Sequence, residues 1–220
     1  QLAEKTVLRM VRRGRIPGAK IASQWRFMRP VIRDWLAGQM QSMPDMELSR
    51  YASSAALLPL AEVIRPELIN LNVSAGPKES VIRQLARPLK DTGFAAQPDV
   101  FLQSLMEREE MMTTAIGHGI AIPHPRRPIK GQFKEPAIAL GLCREGTDFY
   151  AVDDQLVHLF FVICATSDQI HLKLMARVSW LMRDRKYLQA LMQSESGDDI
   201  LSVISDADSK LEKKNERSNR

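Results

Sequence analysis

Residues 116–124, Ile-Gly-His-Gly-Ile-Ala-Ile-Pro-His, join a short apolar strand to a loop that begins at a histidine. The run 119–122 has the apolar composition of a buried strand. Pro123 ends this run, and His124 follows where the chain enters the Pro- and Arg-rich loop 125–131. Reactive side chains gather at such strand ends, so His124 is a candidate functional residue. Taken alone, it would more often be an ordinary surface histidine.

Apolar segments on both sides of this stretch alternate between strand and helix patterns. Three more strands are predicted, at residues 68–73, 136–142 and 157–165. Helices are predicted around them, at residues 60–64, 77–92, 98–112, 168–183, 186–192 and 198–204. This alternation predicts an α/β fold in which a sheet is flanked by helices on both faces.

Local signals refine two of these helices. Pro88 lies inside helix 77–92 and should kink or shorten it, because proline lacks the N–H that a helix interior uses. Ser167 directly precedes the helix that begins at Asp168, where a serine can cap the first free N–H groups.

Length and composition favour a folded protein of two domains. The chain has 220 residues, 45% of them hydrophobic and 26% charged, which excludes a mainly disordered protein. The longest apolar run, 156–165, is far too short to cross a bilayer, and no export signal is present. We therefore expect a cytoplasmic location without membrane insertion. Cys143 and Cys164 are predicted to be buried, reduced thiols.

Positive charge is concentrated in the first forty residues. This segment holds nine lysines and arginines against two acidic residues, a net charge of +7. The other 180 residues hold 22 basic and 24 acidic side chains, a net charge of −2. Such asymmetry indicates a polyanionic partner for the first segment only.

The basic segment is predicted to form a small unit of a helix, a hairpin and a second helix. These elements are expected at residues 4–13, 19–22 with 25–28, and 30–40. The chain opens at Gln1 within this pattern, so we expect the unit to lack a preceding helix.

The rest of the chain is divided by composition. Residues 41–57 contain Pro44 and show no sustained hydrophobic periodicity, so they are predicted to be a linker. The second domain is expected over residues 58–208. Residues 209–220 are expected to form a frayed, charged tail.

The stretch that ends at His124 resembles the phosphorylation-site signature of enzyme IIA domains of the bacterial phosphotransferase system (PTS), in the fructose, mannitol and nitrogen-regulatory class. The similar positions are Glu109, Ile116-Gly117 and Ile120-Ala121-Ile122-Pro123-His124. Further similar positions between residues 58 and 206 are Lys78-Glu79, Arg108-Glu109, Gly146, Asp148-Phe149 and His171-Leu172. The resemblance implies the type-2 enzyme IIA fold, which has a mixed sheet.

This resemblance implies site roles for three residues. It places the phosphoryl group on His124, the second active-site histidine at His171 and the active-site arginine at Arg108. A neutral imidazole can accept and release a phosphoryl group without any cofactor, and a guanidinium can stabilise the charge of the transferring group. Without the resemblance, His171 and Arg108 would be interpreted as surface residues.

Other residues in and around the signature differ from the family pattern or match no active position. Pro125 departs from the family, which has Gly, Ala or Cys there, and it removes a backbone N–H that could face a phosphate. Arg126 and Arg127 add charge instead. His118 and His158 match no active position and are predicted to be structural or surface residues. Four histidines without a Cys-x-x-Cys or His-x-x-x-His pair disfavour a metal site.

Residues 1–38 resemble the helix-turn-helix DNA-binding domains of the excisionase and MerR-like class. The similar positions are Glu4-Lys5-Thr6-Val7, Arg12-Arg13-Gly14-Arg15-Ile16-Pro17, Trp25-Arg26-Phe27, Ile32 and Trp35-Leu36. The resemblance implies a truncated winged unit with five DNA-contacting residues: Arg9, Arg12, Arg13, Lys20 and Arg26. A protein-docking module with a solvated basic face is the alternative.

Together these patterns predict a DNA-binding transcription regulator that a histidine-containing phosphocarrier protein phosphorylates on His124. One alternative is a carrier that passes phosphate to a sugar permease component and uses the basic segment for docking. The other is a binding module that is not phosphorylated. The sugar, the DNA operator and the oligomeric state, a homo-oligomer included, stay open.

Overall fold

The structure is a computed structural model that describes residues 4–12, 16–21, 24–28, 32, 35 and 58–218. The chain divides into two units, Gln1–Pro44 and Asp45–Arg220. In the described part of the chain, no helix is long and apolar enough to cross a membrane.

The smaller unit contains a helix and a hairpin. These elements are α1 (Glu4–Arg12), β1 (Ala19–Ile21) and β2 (Gln24–Arg26), and the two strands pair antiparallel. Gln24 lies in the second strand and not in the connection where we expected it. The predicted helix 30–40 and linker 41–57 lie outside the described residues, apart from residues 32 and 35.

The larger unit alternates strands and helices. Its elements in chain order are α2 (Leu60–Val63), β3 (Ile64–Asn70), α3 (Lys78–Asp91), α4 (Pro98–Met111), β4 (Ala115–Gly117), β5 (Ile120–Ala121), β6 (Ala137–Thr147), β7 (Val157–Cys164), α5 (Asp168–Leu181), α6 (Arg185–Gln193) and α7 (Gly197–Ser218).

The five strands of this unit form one mixed sheet in the order β3-β6-β7-β5-β4. β3 is parallel to β6, and β5 is parallel to β7. The other two pairs, β6 with β7 and β4 with β5, are antiparallel. The predicted α/β fold with a mixed sheet is therefore confirmed.

Both faces of the sheet are buried, which explains the long apolar runs of its central strands. On one face, Ala139 and Phe160 belong to the same buried cluster as Leu85 of α3 and Leu105 of α4. The opposite face carries Ile138 and Leu140, which are also buried, and helices α5, α6 and α7 contact the strands. Helices therefore flank the sheet on both faces, as predicted.

Helix α3 packs closely on β6. A Cβ atom at position 141 would overlap the buried Leu85 side chain, so a larger residue there would force that side chain to shift. The helix was predicted over residues 77–92, and Pro88 does not shorten it, because it continues to Asp91. Pro88 removes one helical bond, to the carbonyl of Gln84, and Asn70 Nδ2 donates to that carbonyl instead at 3.4 Å.

The end of the chain differs from the expected frayed tail. Helix α7 continues through Asp208 and Leu211, both buried, to Ser218. Its apolar positions recur at helical spacing, and its charged residues obscured that pattern in the sequence. The Asp208 carboxylate is held by Arg177 Nη1 at 3.1 Å and by the Ala61 backbone N–H at 2.9 Å.

The two cysteines are free and buried, as predicted. Burial raises the pKa of both thiols, Cys143 and Cys164, so both stay protonated near neutral pH.

Candidate functional site

His124 lies at the end of the ladder between β5 and β7. The parallel pairing of the two strands continues beyond β5, because Ile163 N donates to Pro123 O at 3.0 Å. This bond fixes the backbone directly before the histidine. The imidazole is 4% exposed, and its Nδ1 lies 2.7 Å from Ile122 O. A carbonyl oxygen only accepts, so Nδ1 carries the proton, and in the neutral ring the lone pair is on Nε2.

His171 faces this ring from another element. It lies in the first turn of α5, which Ser167 caps as predicted: Ser167 Oγ accepts from Ile170 N at 3.3 Å, and Ser167 O accepts from His171 N at 2.9 Å. The His171 side chain is 1% exposed. The ring centroids of His124 and His171 are 5.0 Å apart, with planes inclined by 60°. The structure thus brings together the two histidines that the sequence singled out.

Arg108 is buried in the last turn of α4. Its Nη1 donates to Met112 O at 2.8 Å, which satisfies a carbonyl that the end of the helix leaves free. Its Nε is also buried and has no hydrogen-bond partner among the residues that the structure describes. Arg108 is therefore tied to segment 112–114, which pairs with the strand that leads to His124: Ile122 N donates to Thr114 O at 3.0 Å.

Glu109, next to Arg108, is a buried carboxylate to which the sequence assigned no role. Its side chain is 3% exposed, and Lys78 Nζ lies 2.7 Å from its Oε1. Thr114 donates to the same carboxylate from its backbone N and from its Oγ1, at 3.0 and 2.6 Å to Oε2. The signature contains Glu109 but does not reveal that it is buried, and only its burial shows that the charge requires partners.

The other two histidines, His118 and His158, contact residues outside the site of His124 and His171. His118 is exposed in the tight β4–β5 connection, at a φ of 56°, and its N–H donates to Asp153 Oδ2 at 2.8 Å. This hydrogen bond lowers the pKa of Asp153. His158 Nδ1 lies 3.1 Å from Cys143 O. Both have structural contacts, in line with the prediction for them.

The loop after His124 begins with a buried proline and two arginines. Pro125 is buried, Arg126 is half-buried and Arg127 is exposed. The Nε of Arg126 is buried without a hydrogen-bond partner among the described residues. Pro125 therefore removes one backbone donor beside the histidine, and basic charge follows it immediately.

In the smaller unit, four of the five predicted DNA-contacting residues are described, and all four are exposed: Arg9, Arg12, Lys20 and Arg26. Arg13 lies outside the described residues. Arg12 and Lys20 line one groove between α1 and the hairpin, together with Trp25. Arg26 Nη2 donates to Gln24 Oε1 at 2.9 Å. Basic side chains from the helix and the hairpin thus share one surface.

Comparisons with known proteins cover the larger unit. A sequence model described as "Phosphoenolpyruvate-dependent sugar phosphotransferase system, EIIA 2" matches residues 62–207. The fructose-specific EIIABC component of the PTS from Bacillus subtilis (strain 168) is 32% identical over 151 residues, 68% of this chain but only 23% of that protein. The nitrogen regulatory protein of Bradyrhizobium diazoefficiens is 30% identical over 153 residues, 67% of this chain and 95% of that protein.

Solved structures share the same fold at lower sequence identity. Nitrogen regulatory protein IIA-Ntr from Neisseria meningitidis superposes with a TM-score of 0.58 at 23% identity, covering 66% of this chain and 97% of that one. A complex of enzyme IIA-mannitol with phosphorylated enzyme IIB-mannitol from Escherichia coli gives a TM-score of 0.57 at 23% identity, with coverages of 65% and 99%.

Proposed function

The chain belongs to the EIIA 2 family of the phosphoenolpyruvate-dependent sugar phosphotransferase system, and on this premise we propose that it carries a phosphoryl group on His124. The observation that supports this most is the buried His124 ring, whose Nδ1 lies 2.7 Å from Ile122 O. This contact holds the ring proton on Nδ1, so the lone pair of Nε2 is the nucleophile in the neutral ring.

The transfer step exchanges one N–P bond for another. The Nε2 lone pair of His124 attacks the phosphorus of a phosphohistidine donor. The donor's N–P bond breaks as the new bond forms, and its electron pair returns to the donor imidazole. The product ring of His124 is phosphorylated on Nε2, protonated on Nδ1 and positively charged, so the Ile122 carbonyl dipole also stabilises it.

Two further side chains are proposed to stabilise the transferring group, whose charge spreads over its three peripheral oxygens. Arg108 supplies a guanidinium, whose planar fork of donors matches the oxygens of a phosphoryl group. His171 lies at the positive end of α5 and can donate a hydrogen bond from its ring. Both side chains are buried, which strengthens their interaction with an anion.

We propose a histidine-containing phosphocarrier protein as the donor, and we consider two uses for the phosphate. In the first, the phosphorylation state controls the basic unit, which binds DNA and regulates transcription. In the second, the phosphate passes to a sugar permease component. The likeness to a IIA domain solved in complex with a phosphorylated IIB protein favours the second use. The excess of basic residues in the smaller unit favours the first.

Phosphorylation is tested by incubating the full chain with phosphoenolpyruvate, enzyme I and the histidine phosphocarrier, followed by intact-mass measurement. The proposal predicts that one phosphoryl group is added and that mild acid removes it, as expected of a phosphohistidine. No gain in mass, with every component shown to be active, would support a binding module that is not phosphorylated.

The DNA-binding role rests on the groove that Arg12 and Lys20 line. Because each neutralised phosphate releases counterions, the affinity for duplex DNA should fall steeply as the salt concentration rises. The double variant Arg12→Ala, Lys20→Ala should flatten the salt slope by about two units, since each phosphate contact contributes about one.

A matched control removes two exposed arginines of α3, Arg83→Ala and Arg87→Ala, which carry the same charge in the other unit. This control should leave the slope unchanged. Binding that does not depend on salt, or no binding to the DNA upstream of the gene, would favour the docking role for the basic unit.

A further inference from the structure

We propose that Glu109, paired with Lys78, is a positioning residue for His124: through Thr114 it fixes the Ile122 carbonyl that orients the imidazole ring. This inference rests on the proposed role of His124 and adds residues for which the sequence suggested no function. The path consists of direct contacts, each between described residues, from the Lys78 ammonium to the histidine ring.

The first part of this path is a carboxylate held on both oxygens. Glu109 Oε1 lies 2.7 Å from Lys78 Nζ and accepts from Thr114 N at 3.2 Å. Its Oε2 accepts from Thr114 N at 3.0 Å and from Thr114 Oγ1 at 2.6 Å. Thr114 is therefore held by its backbone and its side chain at once, which fixes the orientation of the residue in a way that a single bond would not.

The second part runs through the backbone. Ile122 N donates to Thr114 O at 3.0 Å, and Ile122 O lies 2.7 Å from His124 Nδ1. The pairing of β4 with β5 is irregular between Ala115 and Gly117, so the ladder on this side of β5 is less regular than the parallel ladder with β7 on the other side. The bond from Ile122 to Thr114 supplements that ladder beside the histidine.

The hydrogen bonds between Glu109 and Thr114 also support Arg108. Arg108 Nη1 donates to Met112 O, two residues before Thr114, and Thr113 Oγ1 donates to Phe149 O at 2.8 Å. Lys78 is held in turn over the Phe149 and Tyr150 rings, with its Nζ 5.0 and 4.7 Å from their centroids. A shift of segment 112–114 would therefore move the Met112 carbonyl that holds Arg108. It would also move the Ile122 carbonyl that contacts His124.

A role in folding alone makes a different prediction from a role in positioning. If Glu109 only stabilises the fold, its loss lowers stability but leaves the proton of His124 on Nδ1 in the molecules that remain folded. If Glu109 positions the Ile122 carbonyl, its loss weakens the contact to Nδ1, and the neutral ring divides between its two tautomers. The ¹⁵N chemical shifts of the imidazole nitrogens distinguish these outcomes.

The experiment compares full-length variants of nearly equal shape. Glu109→Gln keeps the size of the side chain but removes its charge and one acceptor, and Glu110→Gln makes the same change at an exposed neighbour. We expect Glu109→Gln to produce a mixed tautomer signal at His124 and to slow phosphorylation by about tenfold or more, because misplaced reacting groups are costly. Glu110→Gln should match the wild type in both measurements.

A second pair of variants covers the case in which Glu109→Gln reduces the folded fraction. Thr114→Val removes only the Oγ1 donor, and Thr114→Ser restores it. We expect a mixed tautomer signal in the valine variant and wild-type behaviour in the serine variant. An unchanged Nδ1–H tautomer in both Glu109→Gln and Thr114→Val would overturn the inference.

This result is separable from the proposed function. A wild-type protein that cannot be phosphorylated, but whose tautomer responds to Glu109→Gln, would refute the carrier role and leave the positioning role standing. Normal phosphorylation with no tautomer response would do the reverse.

Discussion

The imidazole rings of His124 and His171 approach each other with centroids 5.0 Å apart and planes inclined by 60°. One ring follows the end of β5, and the other lies in the first turn of α5, so only the folded sheet brings them together. Both side chains are almost fully buried, whereas histidines in proteins are more often partly exposed. The tilted arrangement places two titratable rings within reach of one small group.

Replacing His171 with alanine should slow phosphorylation of His124 by about 10², as the loss of a positioned electrostatic group commonly does. His171→Asn, which keeps a hydrogen-bond donor, should recover part of the rate. Rapid-quench measurement of single-turnover transfer provides the test, with His118→Ala as a control because His118 is exposed. Equal rates for His171→Ala and the wild type would exclude His171 from the transfer step.

Arg108→Ala should also slow transfer by about 10² while the protein still folds. Arg108→Lys keeps the charge but loses the planar fork of donors, so its rate should lie between those of alanine and arginine. The same kinetic assay applies, with circular dichroism to establish that each variant is folded. A lysine variant as slow as the alanine variant would show that geometry matters more than charge, and a fast alanine variant would contradict the role.

Removing one partner of the buried ion pair between Arg177 and Asp208 should strongly destabilise the fold. Asp208→Ala leaves a buried guanidinium without its carboxylate and should cost about 3 kcal/mol of unfolding free energy. Lys90→Ala, which removes an exposed pair with Asp99, should cost less than about 1 kcal/mol. Urea unfolding measures both, and equal small losses would contradict the structure of α7 around Asp208.

A pH dependence should follow from Asp184, which caps α6 and lies 2.6 Å from Lys210 of α7. The hydrogen bond from Lys210 lowers the pKa of this carboxyl below its ordinary value. The resulting stability is present above the ordinary pKa of aspartate and is lost as the pH falls through the lowered pKa. The pair is partly exposed, so we expect a contribution below about 1 kcal/mol.

The Lys210→Ala variant tests this contribution. Its deficit in unfolding free energy relative to the wild type should be present near neutral pH and should shrink in acid, because Asp184 becomes protonated in both proteins. A deficit that does not change with pH would show that the lysine stabilises the protein by other means.

The sequence predicted elements whose signal is local. The apolar runs of β6 and β7 and the serine before α5 are properties of a few consecutive residues, and each was located to within a few residues. Strand β4 was missed because three residues ending in glycine carry no periodic signal. The end of α7 was missed because charged side chains outnumber its apolar positions, although Ile200, Ile204 and Leu211 keep the helical spacing.

The sequence predicted only those site residues that belong to a recognisable motif. His124 and Glu109 belong to one signature, but the signature does not reveal that the glutamate is buried or that Lys78 pairs with it across 31 positions of the chain. Such pairings depend on how helices α3 and α4 pack, which short-range patterns do not encode. The ion pair of Arg177 with Asp208 was missed because it likewise depends on how two helices, α5 and α7, pack together.

Phosphorylation of His124 itself can be observed directly. The most direct measurement is to phosphorylate the full chain with the phosphoenolpyruvate-dependent system, digest it at alkaline pH and locate the modified residue by tandem mass spectrometry. We expect one modified peptide, which contains Pro123-His124-Pro125, and no modification in the His124→Ala variant. A phosphoryl group on His171, His118 or a hydroxyl side chain, or equal modification of the variant, would contradict this expectation.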